Sequence, residues 1–124
     1  MSMKTPLGQV RGLGSAKDGT DHFWKQRVSA VATLLLAVVF IIVMVRLNGA
    51  SYEAVVASLS RPMIAVLFLL FILSGVFHMR LGMQVIIEDY ISHETTKILA
   101  LMGNTFFAIL IGGLCVFSLL KLAL

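Results

Sequence analysis

The sequence predicts an all-α membrane protein with three transmembrane helices, and three observations carry that prediction. Of 124 residues, 59% are hydrophobic and only 13% are Asp, Glu, Lys or Arg, against about 25% charged in an ordinary soluble domain. The mean hydropathy is +0.98. The apolar residues collect into three stretches, 28–45, 62–87 and 98–120, each close to the roughly 20 residues a helix needs to cross a bilayer. So little polar surface could not cover a water-soluble globule, which excludes a soluble enzyme, a secreted disulfide module and a disordered chain. Cys115 is the only cysteine, so neither an intrachain disulfide nor a thiolate metal site is available.

Residues 1–27 form a leader rich in Gly, Ser and Lys. Its first dozen residues show no periodicity and are expected to be mobile. The first span, 28–45, has 18 uncharged residues, about 27 Å as a helix. It is too long for the apolar core of a signal peptide and no small-x-small cleavage site follows it, so it is expected to stay as a span. Phe23 and Trp24 beside Lys25 and Arg27 read as an interfacial anchor, and Asn48-Gly49 as a turn. Pro62 suits the first turn of the second helix, where its missing N–H costs nothing. The second span, 62–87, is interrupted only by His78 and Arg80, and the third, 98–120, carries no charge. Residues 121–124 are a short tail. Gly103 and Gly112-Gly113 suggest close helix packing. No internal repeat is present, which argues against a stand-alone transporter.

Orientation follows from the basic residues near the helix ends. Lys4, Arg11, Lys17, Lys25 and Arg27 precede the first span, and Lys97 lies in the loop on the same side. Arg46, Arg61 and Lys121 lie on the other. Six against three places the N-terminus in the cytoplasm, or in the matrix of a mitochondrion. The net charge of +4 is thus an orientation signal. It is not a nucleic-acid footprint, which would need clustered basic residues on a folded reader.

The polar chemistry concentrates in the second span. His78 lies 16 residues past Pro62, about 24 Å along the helix, and an ionisable residue at such depth is a functional candidate. At 100° per residue, Phe71, Ser74, Gly75, Gly82, Val85 and Asp89 all fall within about 60° of it. The flanking glycines leave a shallow groove. It could admit a flat macrocycle ligated through the imidazole or a neighbouring helix packed against a buried His. His22 and His93 lie outside the spans and should not face His78, so a bis-histidine haem would need its second ligand from another subunit. Asp89 and Tyr90 follow 11 and 12 residues after His78. Such a pair could hydrogen-bond a quinone carbonyl and support its protonation, or be an ordinary interfacial belt and a solvated helix end. Arg80 points to another side and could snorkel or pair. Arg27 could meet a lipid phosphate, the default, or a haem propionate.

Together these residues resemble the hydrophobic membrane-anchor (D) subunits of succinate dehydrogenase, respiratory complex II, of the cytochrome b556 type. The pattern stands as His78, Gly82, Gln84-Val85 and Asp89-Tyr90. Weaker matches are Leu13-Gly14, Gly19, His22-Phe23 and Arg27 before the first span, and Ser51-Tyr52-Glu53 before the second. The resemblance runs from about Leu13 to the C-terminus, and only the second-helix motif is fairly specific. It implies a multi-subunit helical bundle in the bacterial inner membrane, with a second anchor subunit, an iron–sulfur subunit and a flavoprotein subunit as partners. His78 would be an axial ligand of a haem b shared with the second anchor, and its iron the only metal contacted. Tyr90 would bind the ubiquinone substrate, with Asp89 as the adjacent carboxylate, and Arg27 would lie near the haem propionates. FAD and iron–sulfur clusters would belong to the partners, and no succinate chemistry to this chain. Arg80 falls at a variable position and takes no role. The competing readings are a fumarate reductase anchor and a cofactor-free structural or assembly protein. A small ion channel is the poorest fit, because one His and one Arg on different faces do not line a pathway.

Overall fold

The computed structural model describes residues 5–10 and 18–124. The leader residues Lys4, Arg11, Leu13, Gly14 and Lys17, used above for orientation and resemblance, lie outside the described residues. Among the described residues five helices follow in order: α1 (Pro6–Val10), α2 (Asp18–Arg46), α3 (Tyr52–Leu59), α4 (Pro62–Tyr90) and α5 (Glu94–Ala123). Among the described residues there is no strand. The fold is all-α, with three helices long and apolar enough to cross a membrane: Gly19–Arg46, Pro62–Tyr90 and Glu94–Ala123.

Each long helix outruns its apolar stretch. With 29, 29 and 30 residues, α2, α4 and α5 extend about 44 Å, beyond a hydrocarbon core of about 30 Å. The surplus is local helix signal at the ends. In α2 it takes in ten residues before Val28, including an Asp21–Lys25 ion pair at i,i+4 with 2.6 Å between its charged atoms. The leader is therefore partly helical, with Pro6–Val10 a further short turn. At the other end α5 absorbs most of the expected tail. Between α4 and α5 only residues 91–93 are non-helical, because His93 caps α5 by accepting from the Thr96 N–H at 3.5 Å. Pro62 starts α4, as its missing donor requires.

The first loop contains structure that hydropathy alone does not reveal. Leu47 to Gly49 turns the chain, with Gly49 at φ +77, a left-handed conformation that favours glycine. Ser51 then caps α3 by accepting the Ala54 N–H at 3.3 Å. This short helix lies against both α4 and α5.

The spans are arranged side by side with α4 in the middle. It packs against α2 on one side and α5 on the other, and among the described residues the α2 and α5 backbones make no close approach to each other. The tightest apolar cluster is at the α3 end, where Leu59, Phe68 and Leu119 are buried among Phe40, Val43 and Ile72. Phe40 stacks on Phe71 at 4.9 Å between centroids and tilts against Phe68 at 5.1 Å. Most large apolar side chains of the spans face outward, as lipid-facing and partner-facing surfaces do.

Candidate functional site

The other end of the α2–α4 contact is polar. His78 is half-buried there, and its Nδ1 lies 3.1 Å from Ser29 Oγ on α2. One turn away, Thr33 Oγ1 and Ser74 Oγ are hydrogen-bonded at 2.8 Å. The Ser74 hydroxyl also donates to the Ser29 carbonyl at 3.4 Å, and the Ser29 hydroxyl to the Gln26 carbonyl at 3.0 Å. Both helices contribute at i and i+4, the spacing that stacks side chains on one face. The helices are antiparallel, so Ser29 meets His78 and Thr33 meets Ser74. Ser29 is the only buried polar residue among the described residues, 7% exposed.

The two glycines flanking His78 are not used for packing within this chain. A Cβ built on Gly75 or Gly82 would meet no atom within 4 Å. The close-packing glycine is Gly112 on α5, where a Cβ would lie 3.3 Å from Val76 Cγ1. Gly103 and Gly113 have open space instead. His78 thus sits beside two vacant notches, with one ring nitrogen engaged. That arrangement fits a haem: the imidazole is anchored from behind, and the backbone on either side leaves room for a flat ring. Among the described residues no three His, Cys, Asp or Glu side chains converge. Among those residues a metal at His78 would find one ligand and would need the rest of its coordination from elsewhere.

Asp89 and Tyr90 end α4, about 17 Å along the axis from His78. Both are exposed, Tyr90 at 83%, and neither side chain has a hydrogen-bond or ion-pair partner among the described residues. They line neither of two grooves on the flanks of α4. One of these, about 400 Å³, lies between α2 and α4 beside Trp24, Ser29 and Phe77. Another, about 260 Å³, lies between α4 and α5 beside Met83, Gly103 and Phe107.

The two arginines face elsewhere. Arg80 is turned about 200° from His78 and meets α5, where its Nε donates to Thr105 Oγ1 at 3.3 Å. Asn104 Nδ2 donates to the Arg80 carbonyl at 3.0 Å. Arg80 thus pairs inside the chain, as one of its two sequence readings had it. Arg27 is exposed and lies over the Phe23 ring, 4.7 Å from the centroid. Two residues before Ser29, it leaves α2 on the side away from His78.

Sequence reasoning missed Ser29 and Thr33, and it placed His22 outside the first span, which the structure corrects. The first two are ordinary small residues whose only signal is their i,i+4 spacing in an apolar stretch. His22 is inside α2, not before it, and its position seven residues before Ser29 puts it on the same face. Its Nε2 is buried with no hydrogen-bond partner among the described residues.

Comparison with known proteins gives a single direction. The family model described as Succinate dehydrogenase/Fumarate reductase transmembrane subunit matches residues 1–113. The succinate dehydrogenase hydrophobic membrane anchor subunit of Paracoccus denitrificans is 36% identical over 120 residues, covering 97% of this chain and 92% of that one. The subunit of the same description from Rickettsia bellii is 28% identical over 107 residues, covering 86% of each. That of Rickettsia conorii is 30% identical over 95 residues, covering 76% and 75%. No solved structure matches significantly.

Proposed function

The chain belongs to the succinate dehydrogenase/fumarate reductase transmembrane-subunit family, and from that premise we propose what its site residues do. Its coarse role is that of a membrane-anchor subunit of a succinate dehydrogenase complex, and three apolar helices suit a multi-pass bacterial membrane protein. Within that role, His78 would hold a haem b through its imidazole, and Tyr90 and Asp89 would form one wall of the ubiquinone site. The observation that carries the haem assignment is His78 itself: an imidazole in a membrane span, held through Nδ1, with open space at Gly75 and Gly82.

A bound haem b supplies a one-electron redox centre. The chain's own contribution is orientation. The α2–α4 seam holds the imidazole ring, and the absence of side chains at Gly75 and Gly82 would leave room for the haem beside it. At the end of α4 the Tyr90 hydroxyl donates to a quinone carbonyl, and the Asp89 carboxylate beside it favours proton delivery to the reduced oxygen. Arg27, stacked on Phe23 and turned outward, fits an anionic headgroup at the membrane surface; a propionate contact would require it to leave that ring. The partners are a second anchor subunit carrying its own membrane histidine, an iron–sulfur subunit and a flavoprotein subunit, with FAD and iron–sulfur clusters held there. The N-terminus faces the cytoplasm. The same residues serve fumarate reduction, because the quinone's potential sets the direction.

The test is a reduced-minus-oxidised visible spectrum of the purified complex. A b-type band that is altered by His78→Ala is expected, and an unaltered band would remove His78 from the haem. Tyr90→Phe is expected to lower succinate:quinone activity about tenfold, the loss of one hydrogen bond near 1.4 kcal/mol. Succinate oxidation with an artificial acceptor should persist. Full quinone activity in Tyr90→Phe would refute the quinone assignment.

A further inference from the structure

We infer that Ser29 is a positioning residue for His78: its hydroxyl sets the imidazole tautomer and so selects Nε2 as the ligating nitrogen. The inference rests on the haem reading above and extends it to a residue on another helix.

The argument is a count of protons. The Ser29 hydroxyl has one, and its oxygen lies 3.0 Å from the Gln26 carbonyl and 3.1 Å from His78 Nδ1. A carbonyl oxygen only accepts. Both contacts are hydrogen bonds only when the hydroxyl donates to Gln26 and accepts from Nδ1–H. A neutral imidazole carries one ring proton, so with Nδ1 protonated the lone pair is on Nε2. The hydrogen bond at one ring nitrogen decides which nitrogen is available to a metal.

The surroundings make the choice firm. Ser29 is buried at 7% exposure, and its carbonyl accepts from Ser74 at 3.4 Å, itself bonded to Thr33 at 2.8 Å. Ser29 is therefore pinned through its side chain and its backbone. Turning the imidazole to present Nδ1 outward would remove the donor that the Ser29 oxygen accepts in a span without water to replace it.

The experiment uses the whole purified complex with wild-type, Ser29→Ala, Ser29→Thr and His78→Ala anchor chains. Two readouts are independent of turnover: the electron paramagnetic resonance signal of the low-spin haem, which senses axial-ligand orientation, and haem transfer to excess apomyoglobin. Ser29→Ala is expected to shift or broaden the low-spin signal and to hold haem about 10- to 100-fold more weakly. Ser29→Thr keeps the hydroxyl and is expected to restore both. Wild-type signal and retention in Ser29→Ala, with His78→Ala altering the haem, would overturn the role of Ser29 and leave the haem reading intact. Equal loss in Ser29→Ala and Ser29→Thr would also overturn it, by assigning the effect to packing. A wild-type complex without a b-type band overturns both readings.

Discussion

Replacing Gly112 with leucine probes the closest approach between α4 and α5. A Cβ at this position lies 3.3 Å from Val76 Cγ1 and 3.7 Å from Cγ2. Alanine needs the valine to give by a few tenths of an ångström, and its helix preference over glycine, about 0.8–1 kcal/mol, offsets that cost. Gly112→Ala is therefore expected to be near neutral. Leucine drives three further carbons toward a side chain fixed in the middle of a 29-residue helix, so the helices must separate. Overpacking of this kind costs about 1–3 kcal/mol, or about 5- to 150-fold in the ratio of packed to separated forms. Gly113 is the control, since nothing lies within 4 Å of a Cβ there. Thermal disassembly of the detergent-solubilised complex, followed by size-exclusion chromatography, gives the order of stability. Gly112→Leu should disassemble below wild type and Gly112→Ala, and Val76→Ala in the same chain should recover part of the loss. A Gly112→Leu complex as stable as wild type, or one that Val76→Ala makes no better, refutes the reasoning.

Two further outcomes follow from contacts outside the proposed haem and quinone residues. A double-mutant cycle of Thr33→Val and Ser74→Ala should show coupling of about 0.6 kcal/mol, up to about 1.7, as for other hydrogen bonds between membrane helices; additive losses in the same disassembly assay would mean the 2.8 Å contact contributes nothing. At α3, a backbone N–H and the Ser51 hydroxyl hold the exposed Glu53 carboxyl below its ordinary value of 4.5. Because the folded value is depressed, its stabilisation of the first turn is complete above 4.5 and is lost as pH falls through the lower folded value. An NMR titration should place the Glu53 midpoint below 4.5 in wild type and closer to it in Ser51→Ala, with faster amide exchange in α3 at the acid end.

Particular residues show how much was legible. His78 and Arg80 are two positions apart, so helical geometry alone assigns them to different sides, and they do face α2 and α5 respectively. The partners on those helices were not legible. Ser29, Thr33 and Thr105 are small polar residues that an apolar span tolerates anywhere, and nothing in the residue order marks them as neighbours of α4. Gly75, Gly82 and Gly112 look alike in sequence; only the packed helices separate the two that leave notches from the one that touches Val76. The boundaries failed in one direction. The apolar stretches end at the charges that flank them, whereas backbone hydrogen bonding carries α2, α4 and α5 past those charges and builds α3 in a loop.

The sequence by itself determined the class of protein, the number of spans and the place of the ionisable residues in the second helix. The reason is a cost that tertiary structure cannot remove: a backbone in hydrocarbon must bond internally, and an ionisable side chain there is expensive enough to stand out as a candidate for function. The tertiary structure alone decided how each helix is rotated about its axis. In water an apolar stripe would announce the inward face, but lipid tails are as apolar as leucine and all sides of these helices are hydrophobic. Rotation is then settled by a few contacts: Val76 against Gly112, Arg80 with Thr105, and Ser29 with His78. The last of these decides which nitrogen of the histidine is free.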